Sequence, residues 1–125
     1  MKSEYHFRFE ELQVYQKAIA FGEIVNSLVK KFPRDERFEL KSQFKRASDS
    51  NALNIAEGSS GTDRQFYNYL GNSWHSAEEC VACGTKARLR NYINFEDDEE
   101  VRKNITELSK MITSLRNTIS KRIKK

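Results

Sequence analysis

Proline occurs once in the 125 residues, at Pro33, and glycine only five times. A chain with so few breakers can hold long uninterrupted helices. It lacks the turn residues that an all-β fold needs every few positions. Cysteine occurs twice, at Cys80 and Cys83, which excludes a disulfide-stapled scaffold. Histidine is limited to His6 and His75. No run approaches the roughly 20 apolar residues of a membrane span, and the stretch MKSEYHFRFEELQ lacks the apolar core of a secretory signal. The expectation is a cytoplasmic protein with reduced thiols and no membrane partner. Neither sign of charge dominates: 22 Lys and Arg face 18 Asp and Glu, a net charge of +4. That admits a polyanionic partner without demanding one.

What the sequence has in quantity is charge, 32% of residues, set around apolar residues at helical spacing. The length supports a single domain, residues 1–125, with one core. A first helix is expected over about 10–32. Leu12, Tyr15, Ile19, Gly22, Val25, Val29 and Phe32 form one stripe, with Val14, Ala18, Phe21 and Leu28 as a second beside it. Pro33 ends it, because proline disfavours helical geometry in the residue before it. A second helix is expected over about 36–57, capped by Asp35 and stopped by Gly58 in left-handed geometry. Thr62 with Gln65 has the form of a capping box and opens a third helix over about 63–90, broken at Asn91. The fourth, about 97–123, begins with an acidic turn. Its Val101, Ile105, Leu108, Ile112, Leu115 and Ile119 alternate steps of four and three, a seam of heptad type. Rods of roughly 30–42 Å with short links predict an all-α fold, an antiparallel up-down-up-down four-helix bundle.

The second helix carries an unusual polar load. KRASDSNALNIAEGSSG, residues 45–61, places Ser48, Asp49, Ser50, Asn51 and Asn54 among its apolar positions. The third helix carries a stripe of small residues, Ser73, Ser76, Ala77, Cys80, Cys83, Gly84 and Ala87, on one face. Set against Ala47, Ser48, Asn51, Asn54 and Gly58, that stripe predicts two backbones in close approach. A buried asparagine fixes register at a cost in stability. Its amide needs partners, since an unsatisfied buried polar group costs about 1–3 kcal/mol. Asn51 and Asn54 are expected to find them inside the bundle or across a subunit contact. The alternative for Asp49, Ser50 and Leu53 is that they face water.

Reactive groups are sparse. Cys80 and Cys83 have the C-x-x-C spacing that brings two sulfurs to one point, but they lie inside a helix and no second pair completes a zinc site. Two buried thiols are expected, with a redox or metal helix as the alternative. His75 has no partners arranged for nucleophilic chemistry. Glu78 and Glu79 are adjacent and diverge, and GSSG lacks the lysine and strand of a phosphate loop. The sequence predicts no catalytic residue, metal or cofactor. Phe66, Tyr67, Tyr69 and Trp74 are expected in the core or an interface rather than stacked on bases.

Basic residues gather in two places on an up-down bundle. Lys30, Lys31, Arg34, Arg37, Lys41, Lys86, Arg88 and Arg90 come to one end, where Asp35, Glu36, Glu39 and the acidic run 96–100 partly cancel them. Lys45 and Arg46 continue along the second helix. Lys121, Arg122, Lys124 and Lys125 lie at the other end, with little acid beyond Glu57 and Asp63. Lys41, Lys45, Arg46 and these four tail cations are the candidate nucleic-acid-binding residues. The alternative for the tail is a solvated helix terminus whose cations suit the dipole.

FEELQVYQKA, KKFPRDERFELKSQFKRAS and NIAEGSS, with Ser76 and Glu79 of the third helix, resemble the bacterial four-helix-bundle family of S23-like, or ribosomal-RNA intervening-sequence, proteins. The likeness covers nearly the whole chain. It is most specific over Phe32-Pro33-Arg34-Asp35-Glu36-Arg37 and Asn54-Ile55-Ala56-Glu57-Gly58. It implies an up-down bundle that assembles as a homopentamer, without catalytic residues, in which Asn54, Glu57 and Gly58 are structural. Similar accessory proteins of diversity-generating retroelements associate with a reverse transcriptase and nucleic acid, so RNA or DNA and a reverse transcriptase are the implied partners. Where the family carries an apolar stretch with a proline before Asn54, this chain has Asp49-Ser50-Asn51-Ala52-Leu53, and His75 stands where a small residue is common. The combined expectation is a non-enzymatic oligomeric scaffold presenting basic surface to nucleic acid or a polymerase. The alternative is a protein-interaction module with no nucleic-acid role.

Overall fold

The computed structural model describes residues 2–36 and 39–124. Four long helices order the chain: α1 (Gln13–Leu28), α2 (Leu40–Ser59), α3 (Asp63–Leu89) and α4 (Phe95–Ile123), and no strand occurs among the described residues. Consecutive helices run antiparallel. α2 packs on α1 and α3, α3 packs on α4, and α1 touches α4 more sparsely.

Helix α1 is shorter than its apolar pattern. A 3-10 turn at Arg8–Glu11 precedes it, and the last residues tighten into another at Val29–Lys31 before Pro33. Its core face is the second of the two stripes, Val14, Ala18, Phe21 and Leu28, joined by Val25 of the first. Ile19 of the first stripe stands 45% exposed. Sparse packing against α4 leaves that side of α1 without a full partner.

Helix α2 starts at Leu40 and not near 36. Arg34–Glu36 instead forms a separate 3-10 turn, so Asp35 caps nothing. Glu36 accepts a hydrogen bond from the Leu40 backbone N–H at 3.3 Å and another from the Tyr92 hydroxyl at 2.6 Å. A contact 56 residues away thus pins the link and sets where α2 can begin. Arg37 lies outside the described residues.

Gly58 does not stop α2. The helix continues through it to Ser59, and no described glycine has positive φ. A Cβ there would lie 2.5 Å from Tyr69 Cβ and 3.0 Å from its Cγ. Glycine is required because α3 crosses α2 at this point, not because the backbone turns left-handed. α3 opens with the expected capping box: the Gln65 N–H donates to Thr62 Oγ1 at 3.1 Å, and the Thr62 N–H to Gln65 Oε1 at 2.8 Å. It closes at Asn91, φ 62°, with Tyr92 N–H bonded to Ala87 O and Asn91 N–H to Arg88 O, a Schellman motif. α4 begins two residues earlier than its acidic turn indicates. Asn94 caps it, accepting from the Asp97 N–H at 2.7 Å, while Asp97 accepts from the Asn94 N–H. The heptad seam then holds: Val101, Ile105, Leu108, Ile112 and Ile119 are buried and Leu115 is half-buried.

The polar load of α2 sorts by direction. Asn51 is fully buried, its amide donating weakly to Ala47 O (3.4 Å) and Cys80 Sγ (3.9 Å), while Ser73 Oγ of α3 donates to the Asn51 carbonyl at 3.1 Å. Asn54 bonds within its own helix, to Ser50 O and Ser50 Oγ, both at 2.8 Å. Ser76 Oγ of α3 donates to the same Ser50 hydroxyl at 2.9 Å. Asp49 and Leu53 face water.

Gly58→Ala and Gly22→Ala should therefore separate. At Gly58 the added methyl meets the Tyr69 side chain, and overpacking of about 1–3 kcal/mol is expected. At Gly22 the nearest atom would be Ser48 Oγ at 3.7 Å, an ordinary contact. Alanine there should be neutral or stabilise by up to about 1 kcal/mol through helix propensity. Thermal melts of the two variants check this, and equal Tm values would refute the close-approach reading of Gly58.

Candidate nucleic-acid interface

Where the cations stand depends on which acids hold them. At the end formed by the α1–α2 link, the α3 C-terminus and the α4 N-terminus, Lys31 Nζ lies 3.0 Å from both carboxylate oxygens of Asp97. Arg90 Nη1 lies 3.4 Å from Glu36 Oε1. Asp98, 2% exposed, is bracketed by Arg88 Nε at 3.0 Å and Arg102 Nε at 3.2 Å. The Arg88 N–H is not aligned on the carboxylate, so that contact is ionic without being a hydrogen bond. Arg102 also donates to Thr85 Oγ1 at 2.7 Å. Gly84 makes room for Asp98, since a Cβ there would come within 2.8 Å of its Oδ1. Three cations the sequence gathers at this end, Lys31, Arg88 and Arg90, are thus held by acids.

Lys41 and Lys45 of α2 are half-buried and Arg46 is exposed, and none has an ion pair among the described residues. In the tail, Lys121 and Lys124 are exposed and also unpaired there. Arg122 is engaged by Asp63 through Nη2–Oδ1 at 3.0 Å and Nε–Oδ2 at 3.3 Å, which ties α4 to the start of α3. That pair raises the Arg122 pKa, chiefly through the hydrogen bond. Lys125 lies outside the described residues. The structure does not bring the two candidate sets together: Lys41, Lys45 and Arg46 occupy the first half of α2, the tail lies at the opposite end, and α2 and α4 are not packing neighbours.

Sequence reasoning passed over Lys110, which is exposed, and Arg116. The available signal was an absence: from Leu108 onward the chain has Lys110, Arg116, Lys121, Arg122, Lys124 and Lys125 and no Asp or Glu. Arg116 is itself occupied, its guanidinium 4.0 Å from the Tyr67 ring centre and its Nε donating to Tyr67 O at 3.2 Å. A side chain at Gly71 would crowd it, since a Cβ there lies 3.1 Å from Nη2.

Cys80 and Cys83 are free and buried. Burial raises both thiols, with Glu79 as a further cause at Cys83, which reaches about 11, and Cys83 as a further cause at Cys80. Neither presents a thiolate at neutral pH. Among the described residues no three His, Cys, Asp or Glu side chains gather as a metal site requires, and no helix is long and apolar enough to cross a membrane. Of the aromatic run, Phe66 is buried and Tyr67, Tyr69 and Trp74 are half-buried.

These features define an all-helical, up-down four-helix bundle. The chain belongs to the 23S rRNA-intervening sequence protein family, whose sequence model matches residues 10–114. Its fold is similar to the crystal structure, at 1.70 Å, of a protein of unknown function from the S23 ribosomal protein family of Bacteroides thetaiotaomicron. The TM-score is 0.76 at 24% identity, over 82% of this chain and 97% of that one. No curated protein matches the chain.

The contacts of Glu36 yield a pH prediction. The Tyr92 hydrogen bond is the chief cause that lowers the Glu36 pKa; burial opposes it, and the Leu40 N–H and Arg90 add smaller lowering effects. A lowered acid stabilises the fold above its unfolded value, and that contribution is lost as pH falls through the folded value. The Tm gap between wild type and Tyr92→Phe should therefore narrow as pH drops from about 6 to about 3. A gap constant over that range would show that the bond does not couple to folding.

Proposed function

We propose that this chain is a non-enzymatic, self-associating helical scaffold that offers nucleic acid the acid-free end of α4, together with Lys41, Lys45 and Arg46 of α2. One observation carries the reading: the segregation of charge along α4. Its first turns hold Glu96, Asp97, Asp98, Glu99 and Glu100, of which Asp97 engages Lys31 and Asp98 engages Arg88, while everything past Glu107 is basic or neutral. Lys121 and Lys124 are left to solvent. Membership in a family defined by ribosomal-RNA intervening sequences makes RNA the first nucleic acid to try.

One subunit presents only a few free cations in each patch. Each phosphate neutralised contributes a modest, salt-sensitive increment. Repetition of the patch in an assembly, a homopentamer in the family resemblance, multiplies weak contacts without new chemistry. A polymerase such as a reverse transcriptase would be a further partner of the same scaffold. The exposed Ile19 and Leu53 favour a second reading, a protein-interaction module with no nucleic-acid role.

Charge reversal tests the first reading. Lys45→Glu with Arg46→Glu, and separately Lys121→Glu with Lys124→Glu, should weaken RNA binding about tenfold or more at low salt and flatten the slope of log K against log salt by about 0.7–0.9 per lost phosphate contact. Helix content by circular dichroism should not change. Unchanged affinity removes the altered patch from the interface. Wild-type binding that is absent or insensitive to salt would leave the protein-interaction reading.

A further inference from the structure

We infer that the solvent ridge of α4 is a seat for double-stranded RNA, lying across the minor groove and contacting phosphates and ribose hydroxyls rather than bases. The inference rests on the nucleic-acid reading above and names which nucleic acid the α4 patch takes. α4 buries Val101, Ile105, Leu108, Ile112 and Ile119 on one side. On the opposite side Lys110, Thr113, Ser114, Asn117, Lys121 and Lys124 are all exposed. Steps of three and four residues keep these six on one face. Along the axis Lys110 stands about 16 Å from Lys121 and about 21 Å from Lys124. The order along the ridge is cation, uncharged polar groups, cations. The uncharged middle is open to a partner. Asn104, Thr106 and Thr118 commit their donors to the carbonyl four residues back, at 2.8, 2.8 and 3.2 Å. The side chains of Thr113, Ser114 and Asn117 donate to nothing among the described residues, and with Ser109 and Lys110 they line a shallow hollow of about 410 Å³. Two acids border the ridge, and neither lies between its lysines. Glu107 is held by Lys17 at 2.6 Å, and Glu11 stands on the α1 flank, 3.5 Å from His6.

Composition and shape select duplex RNA as the occupant. Proteins that hold single strands combine a basic groove with aromatic platforms for the bases. A helix ridge is convex, and α4 has no aromatic residue after Phe95, which lies in its acidic first turn. An A-form duplex instead offers a wide, shallow minor groove that displays 2′-hydroxyls between two phosphate backbones. Phosphate, ribose hydroxyls, phosphate across that groove matches cation, polar groups, cations along α4. Hydroxyl and amide side chains both donate to and accept from a 2′-hydroxyl, and lysines neutralise the flanking phosphates. Duplex DNA lacks the 2′-hydroxyl and fits the ridge less well. Its minor groove is about 6 Å wide, and its major groove is roughly 8.5 Å deep. With its core side embedded in the bundle, α4 projects only about half of a helix diameter of roughly 10–12 Å. That is too broad for the first groove and too shallow for the floor of the second.

Equilibrium binding of the full chain to three probes provides the test: an RNA duplex, a DNA duplex of the same sequence and an oligouridine of equal length. Wild type should bind the RNA duplex about tenfold or more tightly than either of the others at equal salt. Thr113→Val combined with Ser114→Ala and Asn117→Ala should bring the RNA duplex to within about twofold of the DNA duplex, with the salt slope unchanged. Thr113→Ser combined with Ser114→Thr, which keeps both hydroxyls, should retain the preference. Lys110→Ala should weaken binding to both duplexes alike and flatten the salt slope by about 1. Tyr5→Ala, which removes an exposed aromatic outside the ridge, should change nothing. The altered side chains are exposed, so circular dichroism should show the same helix content throughout. DNA duplex or oligouridine bound as tightly as the RNA duplex would overturn this inference while leaving the nucleic-acid reading intact. So would a preference that survives the triple substitution, or a Lys110→Ala chain that binds as wild type does. A wild type that binds none of the three probes would overturn both.

Discussion

The close approach of α2 and α3 sets the cross-section of this bundle. Gly58 lies against Tyr69, and Ser73 reaches the backbone of Asn51, so the two helix axes are held together by residues with little or no side chain. Such residues bury little apolar area, and area alone, at about 25 cal/mol per Å², gives them a small share of the stability. Their contribution is contact: close backbones gain dispersion and lose almost no rotamer entropy. Proximity also solves the polar problem. Ser50, Asn54 and Ser76 share hydrogen bonds that a wider seam would leave to water. The large core residues Phe21, Phe44, Leu70 and Ile112 are fully buried in the space the other helices enclose.

A bundle drawn tight along one seam is loose along another. α1 packs on α2 through small residues and meets α4 sparsely, which leaves Ile19 and Leu53 unburied and Ser48 unsatisfied. The ion pairs compensate at the ends. Glu36 with Tyr92 and Arg90, Asp98 with Arg88, and Asp63 with Arg122 each tie a helix terminus to a different segment. These contacts also decide the outer electrostatics, because an arginine held by an aspartate is no longer free for a phosphate. What remains unpaired on α2 and in the tail is the residue of a structural selection, and the candidate interface is defined by subtraction.

That subtraction explains what the sequence could and could not reveal. The α4 seam and the Thr62 cap were legible because each depends on residues three or four positions apart. Gly58 was misread as a stop because glycine serves turns and close crossings alike. The deciding neighbour, Tyr69, is named only by the packing of a second helix. The start of α2 was misplaced for the same reason: Glu36 is fixed by Tyr92 across the bundle. Asn94 was overlooked because the acidic run beside it already looked like a first turn, although Asp97 within that run completes the cap. Which cations of the basic clusters are held by acids depends on individual side-chain pairings such as Arg122 with Asp63, which no spacing along the chain announces.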